Sequence, residues 1–189
     1  MNESAIFNLL MGAWTVSEIL ILIVTRTRRG GGRVRDRGSL LILWPTIVLS
    51  ITAGFWIGER YPHNMFVHAA WLMSVCLGLF VLGLAIRWAA IATLGRAFSA
   101  NVAIRDSQTV HKTGLFALVR HPSYSGMMLI FVAIGLATRN WIGLGVVVVP
   151  TMAALLYRIH VEEAALVEAF GSEYVSYSKV TKRLIPGVY

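Results

Sequence analysis

Five apolar runs, at residues 5–24, 40–57, 66–86, 125–138 and 141–157, decide what this chain can fold into. A hydrocarbon core of roughly 30 Å takes about 20 apolar residues as a helix, and lipid admits only segments that satisfy their own backbone. The first three runs are of that order. The fourth has 14 residues and would rise only about 21 Å at 1.5 Å per residue, short of a full crossing. Only Arg139 and Asn140 separate it from the fifth, which predicts a tight helical hairpin with its open end inside the interface. The chain is 57% hydrophobic and 14% charged, against roughly 45–50% and about 25% in soluble domains. The expected fold is therefore all-α and integral to the membrane, with five transmembrane helices, a C-terminal hairpin at 125–157, cytoplasmic amphipathic helices and no Rossmann domain.

Details refine that expectation. Gly54 and Gly58, four apart, would let helices approach closely. Pro45 falls near the start of the second run, and Pro150 should kink the fifth. Arg87 and Trp88 follow the third run and suit an interface. Glu18 lies inside the first run, where carboxylates are rare; an interhelical hydrogen bond or a protonated state is expected. The first run lacks a basic lead and a small-residue cleavage site, so it should be retained as a helix. Cys76, the single cysteine, sits in an apolar run and reads as a small buried hydrophobe.

Charge sets the orientation. The net charge of +8 is concentrated in "RTRRGGGRVRDR", residues 26–37, where six arginines face one aspartate, Asp36. Arginines beside membrane spans mark the cytoplasmic side and anionic headgroups, so lipid surface rather than nucleic acid is the expected partner. Residues 58–65 then face outside, while 93–122 and the tail from Arg158 return to the cytoplasm. The tail reads as an amphipathic continuation of the fifth helix, with Gly171 as its stop and Ser172 as cap of a short last helix. Two regions follow: three N-terminal spans over 1–92 with the basic loop, and a catalytic region over 93–189.

The familiar cofactor motifs are missing. There is no G-x-G-x-x-G after a strand, no P-loop lysine and no H-E-x-x-H. "RGGGR" lies between two spans and reads as a loop. His63, His68, His111, His121 and His160 have no metal-ligand spacing, so no metal is expected. Three polar features remain. One is "RHPSYSG" from Arg120, in which Pro122 supplies the preset φ of a first helical position. The mouth of that helix suits a carboxylate or hydroxyl ligand group, or else Arg120 and His121 reach headgroups and Tyr124 joins an aromatic belt. Another is Arg158 and Glu162, four apart on one helix face, which could be a plain ion pair. The last is Glu163, about 100° further round.

The stretch "LGRAFSANVAIRDSQTVHKTGLFALVRHPSYSG", the hairpin, and then "RIHVEEAALVEAFGSEYVSYSKVTKRLIPG" resemble the isoprenylcysteine carboxyl methyltransferase family from Leu94 to Gly187. The resemblance rests on the RHPSYSG box, the R-x-x-x-E-E pair and the FGSEYVSY…RLIPG tail together. It implies a multi-pass membrane methyltransferase that uses S-adenosylmethionine at the cytoplasmic face. Carried over, Gln108, Thr109, Val110 and His111 would contact the cofactor largely through backbone, and Phe116 would lie against its adenosine. His121, Pro122, Ser123 and Tyr124 would line its pocket, and Asn101 falls where a polar contact is common. Glu162 would hold its charged end, and Arg158 would meet the carboxylate of a prenylcysteine-like lipophilic acceptor.

The residue types suit that chemistry. A carboxylate is ionised at neutral pH and needs no general base, only alignment with the methyl carbon. Arginine offers a planar fork matched to it, and a dry site favours a transfer that cancels charge. Other readings stay open: a phospholipid or small-molecule N- or S-methyltransferase, whose cationic acceptor Arg158 would repel; a membrane sterol-type reductase binding NADPH, for which only Arg105 and Lys112 could meet a 2′-phosphate; and a non-enzymatic lipid-binding protein.

Overall fold

The computed structural model describes residues 2–25, 33–34, 38–62, 71–98, 103–104 and 109–189, with backbone alone at 33–34, 96 and 103–104. Most of the basic loop, His63, His68, Asn101, Arg105 and Gln108 lie outside the described residues. All five apolar runs are helical in their described parts: α1 (Glu3–Thr25), α2 (Ser39–Arg60), α3 (Trp71–Leu94), α5 (Pro122–Ala137) and α6 (Trp141–Phe170). The short α4 (Leu115–Leu118) precedes α5, and α7 (Ser172–Val180) follows α6. One small departure from an all-helical fold joins the interhelical segments. Strands β1 (Arg33–Val34) and β2 (Ala103–Ile104) pair antiparallel, with Arg33 opposite Ile104 and Val34 opposite Ala103.

Helices α1, α2, α3 and α6 are each long and apolar enough to cross a membrane, and α5 is a shorter apolar helix of 16 residues. The chain is a multi-pass integral membrane protein. Helix α5 begins at Pro122, earlier than the apolar run, because proline is tolerated where the first helical amide would be unpaired anyway. Helix α3 runs to Leu94, well past the expected end at 86. Arg87 is correspondingly not at an interface: it is 5% exposed, inside the bundle.

Glycine contacts set the helix spacing. A Cβ on Gly54 would collide with Val147, and one on Gly58 would lie 2.8 Å from the Thr138 carbonyl oxygen, so α2 lies tight against the hairpin. Gly83 of α3 and Gly126 of α5 face each other in the same way, each barring a side chain on the other. This brings Cys76, Phe80, Met127, Ile130, Phe131, Ile134 and Leu155 into one buried core. Trp14 of α1 adds edge-to-face contacts with Phe80 and Phe131.

The hairpin turn is tight because Arg139 takes a left-handed conformation (φ 54°) and Asn140 caps α6. The Asn140 side chain accepts from the amides of Ile142 and Gly143 and donates to the Tyr61 carbonyl, fastening the end of α2. Helix α6 runs unbroken through Pro150 for 30 residues, about 45 Å at 1.5 Å per residue, so its second half extends beyond the apolar layer. Gly171 (φ 53°) stops it and is also the N-cap of α7. Ser172 is the first residue of α7 and not its cap, since the left-handed φ at the junction favours glycine there.

The C-terminal tail then returns to the start of α5. The amides of Arg120 and His121 donate to the carbonyls of Lys182 and Arg183, at 2.7 and 3.0 Å, and the Ser125 hydroxyl donates to the Leu184 carbonyl at 2.6 Å. The box and the RLIPG segment are thus one backbone-paired unit.

Candidate active site

A cavity opens where the start of α5, the second half of α6, α7 and the adjacent ends of α1, α2 and α3 meet. Its walls include Thr109, Val110, His111, Phe116, His121, Pro122, Ser123, Tyr124, Arg158 and Glu162. Every site residue expected from the sequence therefore lines one cavity, save Asn101 and Gln108, which lie outside the described residues.

At its centre is a hydrogen-bonded chain. Arg158, 2% exposed, donates from Nη1 to the Ser39 hydroxyl at 2.5 Å and from Nε to the Tyr124 hydroxyl at 3.2 Å. Tyr124 in turn donates to Glu162 Oε2 at 2.8 Å. Arg158 and Glu162 are thus coupled through a phenol on another helix. The α2 start supplies Ser39, which holds the guanidinium from the opposite side. Such a chain fixes the orientation of the guanidinium plane and of the carboxylate together.

A second buried assembly stands beside it. Glu18, 1% exposed, grips Arg87 through both carboxylate oxygens, with Arg87 Nη2 to Oε2 at 2.5 Å. Trp14 Nε1 donates to the same carboxylate at 3.1 Å, and Arg87 Nη1 donates to the Ser123 hydroxyl at 2.8 Å. Glu18, Arg87 and Ser123 all line the cavity. The expected interhelical partner of Glu18 is thus an arginine, and the pair pins a serine of the box.

Glu163 faces away from that chain, onto the tail. Arg120 reaches Oε1 at 2.9 Å and Arg183 reaches Oε2 at 3.0 Å, with His121 Nε2 3.4 Å from Oε1. Arg120 also donates to the carbonyls of Ser178 and Thr181. It does not extend to headgroups, because the returning tail covers it with acceptors. These contacts close the tail over the cavity.

The tail side of the cavity is aromatic. His111 meets Phe116 edge to face at 5.5 Å, and Tyr177 donates to the Phe116 carbonyl. Burial pushes the Tyr177 hydroxyl up to about 12, so it stays a donor. Phe170, Leu166 and Tyr174 also line the cavity, as do the apolar side chains of α1 and α2, among them Ile21, Leu22, Leu40, Leu43 and Trp44. Among the described residues, the Trp44 indole nitrogen and the Tyr174 hydroxyl are buried without a hydrogen-bond partner. Both residues line the cavity.

Sequence reasoning missed Ser39, Arg87, Tyr174 and Tyr177 as site residues. Apolar residues continue past Arg87 to Leu94, a sign that this arginine lies within a helix rather than at its end. Ser39 carries no comparable signal.

Known proteins are similar to this chain in sequence and in fold. The model of the isoprenylcysteine carboxyl methyltransferase (ICMT) family matches residues 76–168. Protein-S-isoprenylcysteine O-methyltransferase B of Arabidopsis thaliana is 32% identical over 121 residues, 62% of this chain and 61% of that protein. The Schizosaccharomyces pombe protein-S-isoprenylcysteine O-methyltransferase is 31% identical over 131 residues, covering 67% of this chain and 55% of the relative. The chain thus spans less than two thirds of the length of these relatives. A solved structure of the eukaryotic intramembrane Ras methyltransferase ICMT has the same fold, with a TM-score of 0.70 over 95% of this chain and 64% of its own, at 23% identity. The family match runs from the middle of α3 through the box, the hairpin and the acidic pair, and the shared membrane fold extends over nearly the whole length: the chain is similar to the isoprenylcysteine carboxyl methyltransferase family over residues 76–168 and shares the fold of a solved member.

Proposed function

We propose that this protein is a membrane methyltransferase that esterifies the carboxylate of a prenylcysteine-like lipophilic acceptor, with S-adenosylmethionine as donor and the reaction at the cytoplasmic face. The observation that carries this reading is the Arg158–Tyr124–Glu162 chain, which sets a cation and an anion at fixed positions in a cavity lined by apolar and aromatic side chains. The matched relatives named as protein-S-isoprenylcysteine O-methyltransferases support the acceptor class.

The residues fit such a cofactor. A buried hydroxyl without a partner among the described residues, a carboxylate and aromatic rings line the cavity, and together suit a nucleoside with a cationic end. When bound, the cofactor supplies a methyl group on a sulfonium, and transfer to a carboxylate oxygen leaves a thioether and an ester with no proton to remove. Glu162 holds the cationic end. Thr109, Val110, His111, Phe116, His121, Pro122, Ser123 and Tyr124 enclose the remainder, and the sequence resemblance adds Gln108 to this set. Arg158 orients the acceptor carboxylate; its bonds to Ser39 and Tyr124 keep the fork in one plane, so a reactant is held for in-line attack, where positioning supplies most of the rate. The apolar wall of α1 and α2 takes the lipid tail, and the buried site excludes water.

In this reading residues 93–189 form the catalytic region, and 1–92 supply the acceptor wall and the cytoplasmic basic loop toward anionic lipid. The test is binding of S-adenosylhomocysteine against NADPH to detergent-purified protein, by thermal shift, followed by methyl transfer to a farnesylcysteine analogue. Stabilisation by S-adenosylhomocysteine alone, with ester formation, is the expected result. Stabilisation by NADPH alone points to a reductase and overturns it.

A further inference from the structure

We infer that the Tyr174 hydroxyl donates a hydrogen bond to the adenine ring of the bound cofactor. The inference rests on the methyltransferase reading above and adds to it a residue from outside the box and the acidic pair. Tyr174 is 3% exposed, its hydroxyl is buried without a partner among the described residues, and it lines the cavity. A buried donor left unmatched carries the full cost of its lost hydration, so a ligand that matches it gains more than one that does not.

The neighbours decide what kind of acceptor fits. Tyr174 meets Tyr177 edge to face at 6.0 Å, and Tyr177 bonds the Phe116 carbonyl. Phe170 and Leu166 line the same cavity, so its aromatic and apolar lining suits a planar heterocycle rather than a charged chain. Burial raises the Tyr174 hydroxyl well above the usual tyrosine range, and the charges of Glu163 and Glu162 push it the same way. It therefore remains a neutral donor. Those same carboxylate charges disfavour an anion as its acceptor, so the cofactor carboxylate fits poorly and an uncharged ring nitrogen fits well. The neighbouring tyrosine serves as contrast. Tyr177 already has an acceptor in the protein, so its hydroxyl is structural.

The test compares Tyr174→Phe, Tyr177→Phe and wild type as full-length protein in detergent. Calorimetry measures binding of S-adenosylhomocysteine and of 5′-methylthioadenosine, which keeps the nucleoside and lacks the amino-acid end. Thermal melting without ligand is measured on the same preparations. Tyr174→Phe should bind both ligands roughly fivefold more weakly, the size of one neutral hydrogen bond. Its melting temperature without ligand should equal or exceed that of wild type, because the removed hydroxyl has no partner among the described residues. Tyr177→Phe should melt lower. Equal affinity of wild type and Tyr174→Phe for both ligands overturns the inference while leaving the methyltransferase reading in place. Weakening confined to S-adenosylhomocysteine also overturns it, by moving the contact to the amino-acid end. A lowered ligand-free melting temperature in Tyr174→Phe makes the hydroxyl structural and overturns it. Failure of wild type to bind either nucleoside overturns the inference and the reading together.

Discussion

Glu18 of α1 and Arg87 of α3, 69 residues apart, form a two-point ion pair buried at the edge of the cavity. The third guanidinium nitrogen of Arg87 holds Ser123 at the start of α5. One pair therefore ties the first helix to the box that begins the hairpin.

Breaking that pair leaves a buried charge uncompensated, which costs about 3–5 kcal/mol. Glu18→Gln and Arg87→Met should each lower the melting temperature in detergent markedly, whereas Glu18→Leu with Arg87→Met should lie closer to wild type than either. Losses that simply add in the double variant would show that the two residues act independently.

The acidic pair should separate by function. Glu162 points to Tyr124 and the cavity, Glu163 to Arg120 and Arg183. Glu162→Gln should weaken S-adenosylhomocysteine binding about tenfold in calorimetry, the scale of one lost charge-assisted hydrogen bond. Glu163→Gln should weaken it less but speed proteolytic clipping of the tail after α7. Equal affinity of wild type and Glu162→Gln would remove Glu162 from the cofactor site.

Arg158→Lys keeps the charge and loses the fork. It can no longer donate to Ser39 and Tyr124 in one plane. Cofactor affinity should change little while methylation of a farnesylcysteine analogue falls on the order of 10²-fold, as for a misplaced reactant. The dissociation constant and initial rate are measured on one preparation; loss of both together would move Arg158 to the cofactor side.

The glycine contact between α3 and α5 gives a packing prediction. A Cβ on Gly83 would lie 2.6 Å from the Gly126 carbonyl oxygen, whereas nothing stands within 4 Å of one on Gly145. Gly83→Ala should cost about 1–3 kcal/mol through overpacking. Gly145→Ala should be neutral or mildly stabilising, because alanine favours a helix interior. Thermal unfolding of the two variants side by side tests this.

The proposed orientation rests on the arginines of residues 26–37 and is open to labelling. In a Cys76→Ala background, a cysteine replacing the exposed Ser176 of α7 should react with an impermeant maleimide only from the cytoplasmic side. Reaction from outside would reverse the proposed topology.

The sequence by itself determined the helices and half of the site. Apolar runs of membrane length have no alternative to a helix in lipid, so the helices over the five runs were legible, as was the hairpin across Arg139 and Asn140. The box and the R-x-x-x-E-E pair were legible as short local patterns that resemble a known family, and Arg158 with Glu162 because residues four apart share a helix face. Tertiary structure decided the remainder. That Arg158 and Glu162 meet through Tyr124, that Ser39 backs Arg158 across 119 residues, and that Arg87 faces Glu18 depend on how α1, α2 and α3 dock. Docking is set by contacts such as Gly83 on Gly126 and Gly54 on Val147, which no local period encodes. The α7 register depends likewise on the left-handed Gly171 and on tail carbonyls reaching Arg120. A helix period tells which residues share a face, but the partner of that face is chosen by long-range packing.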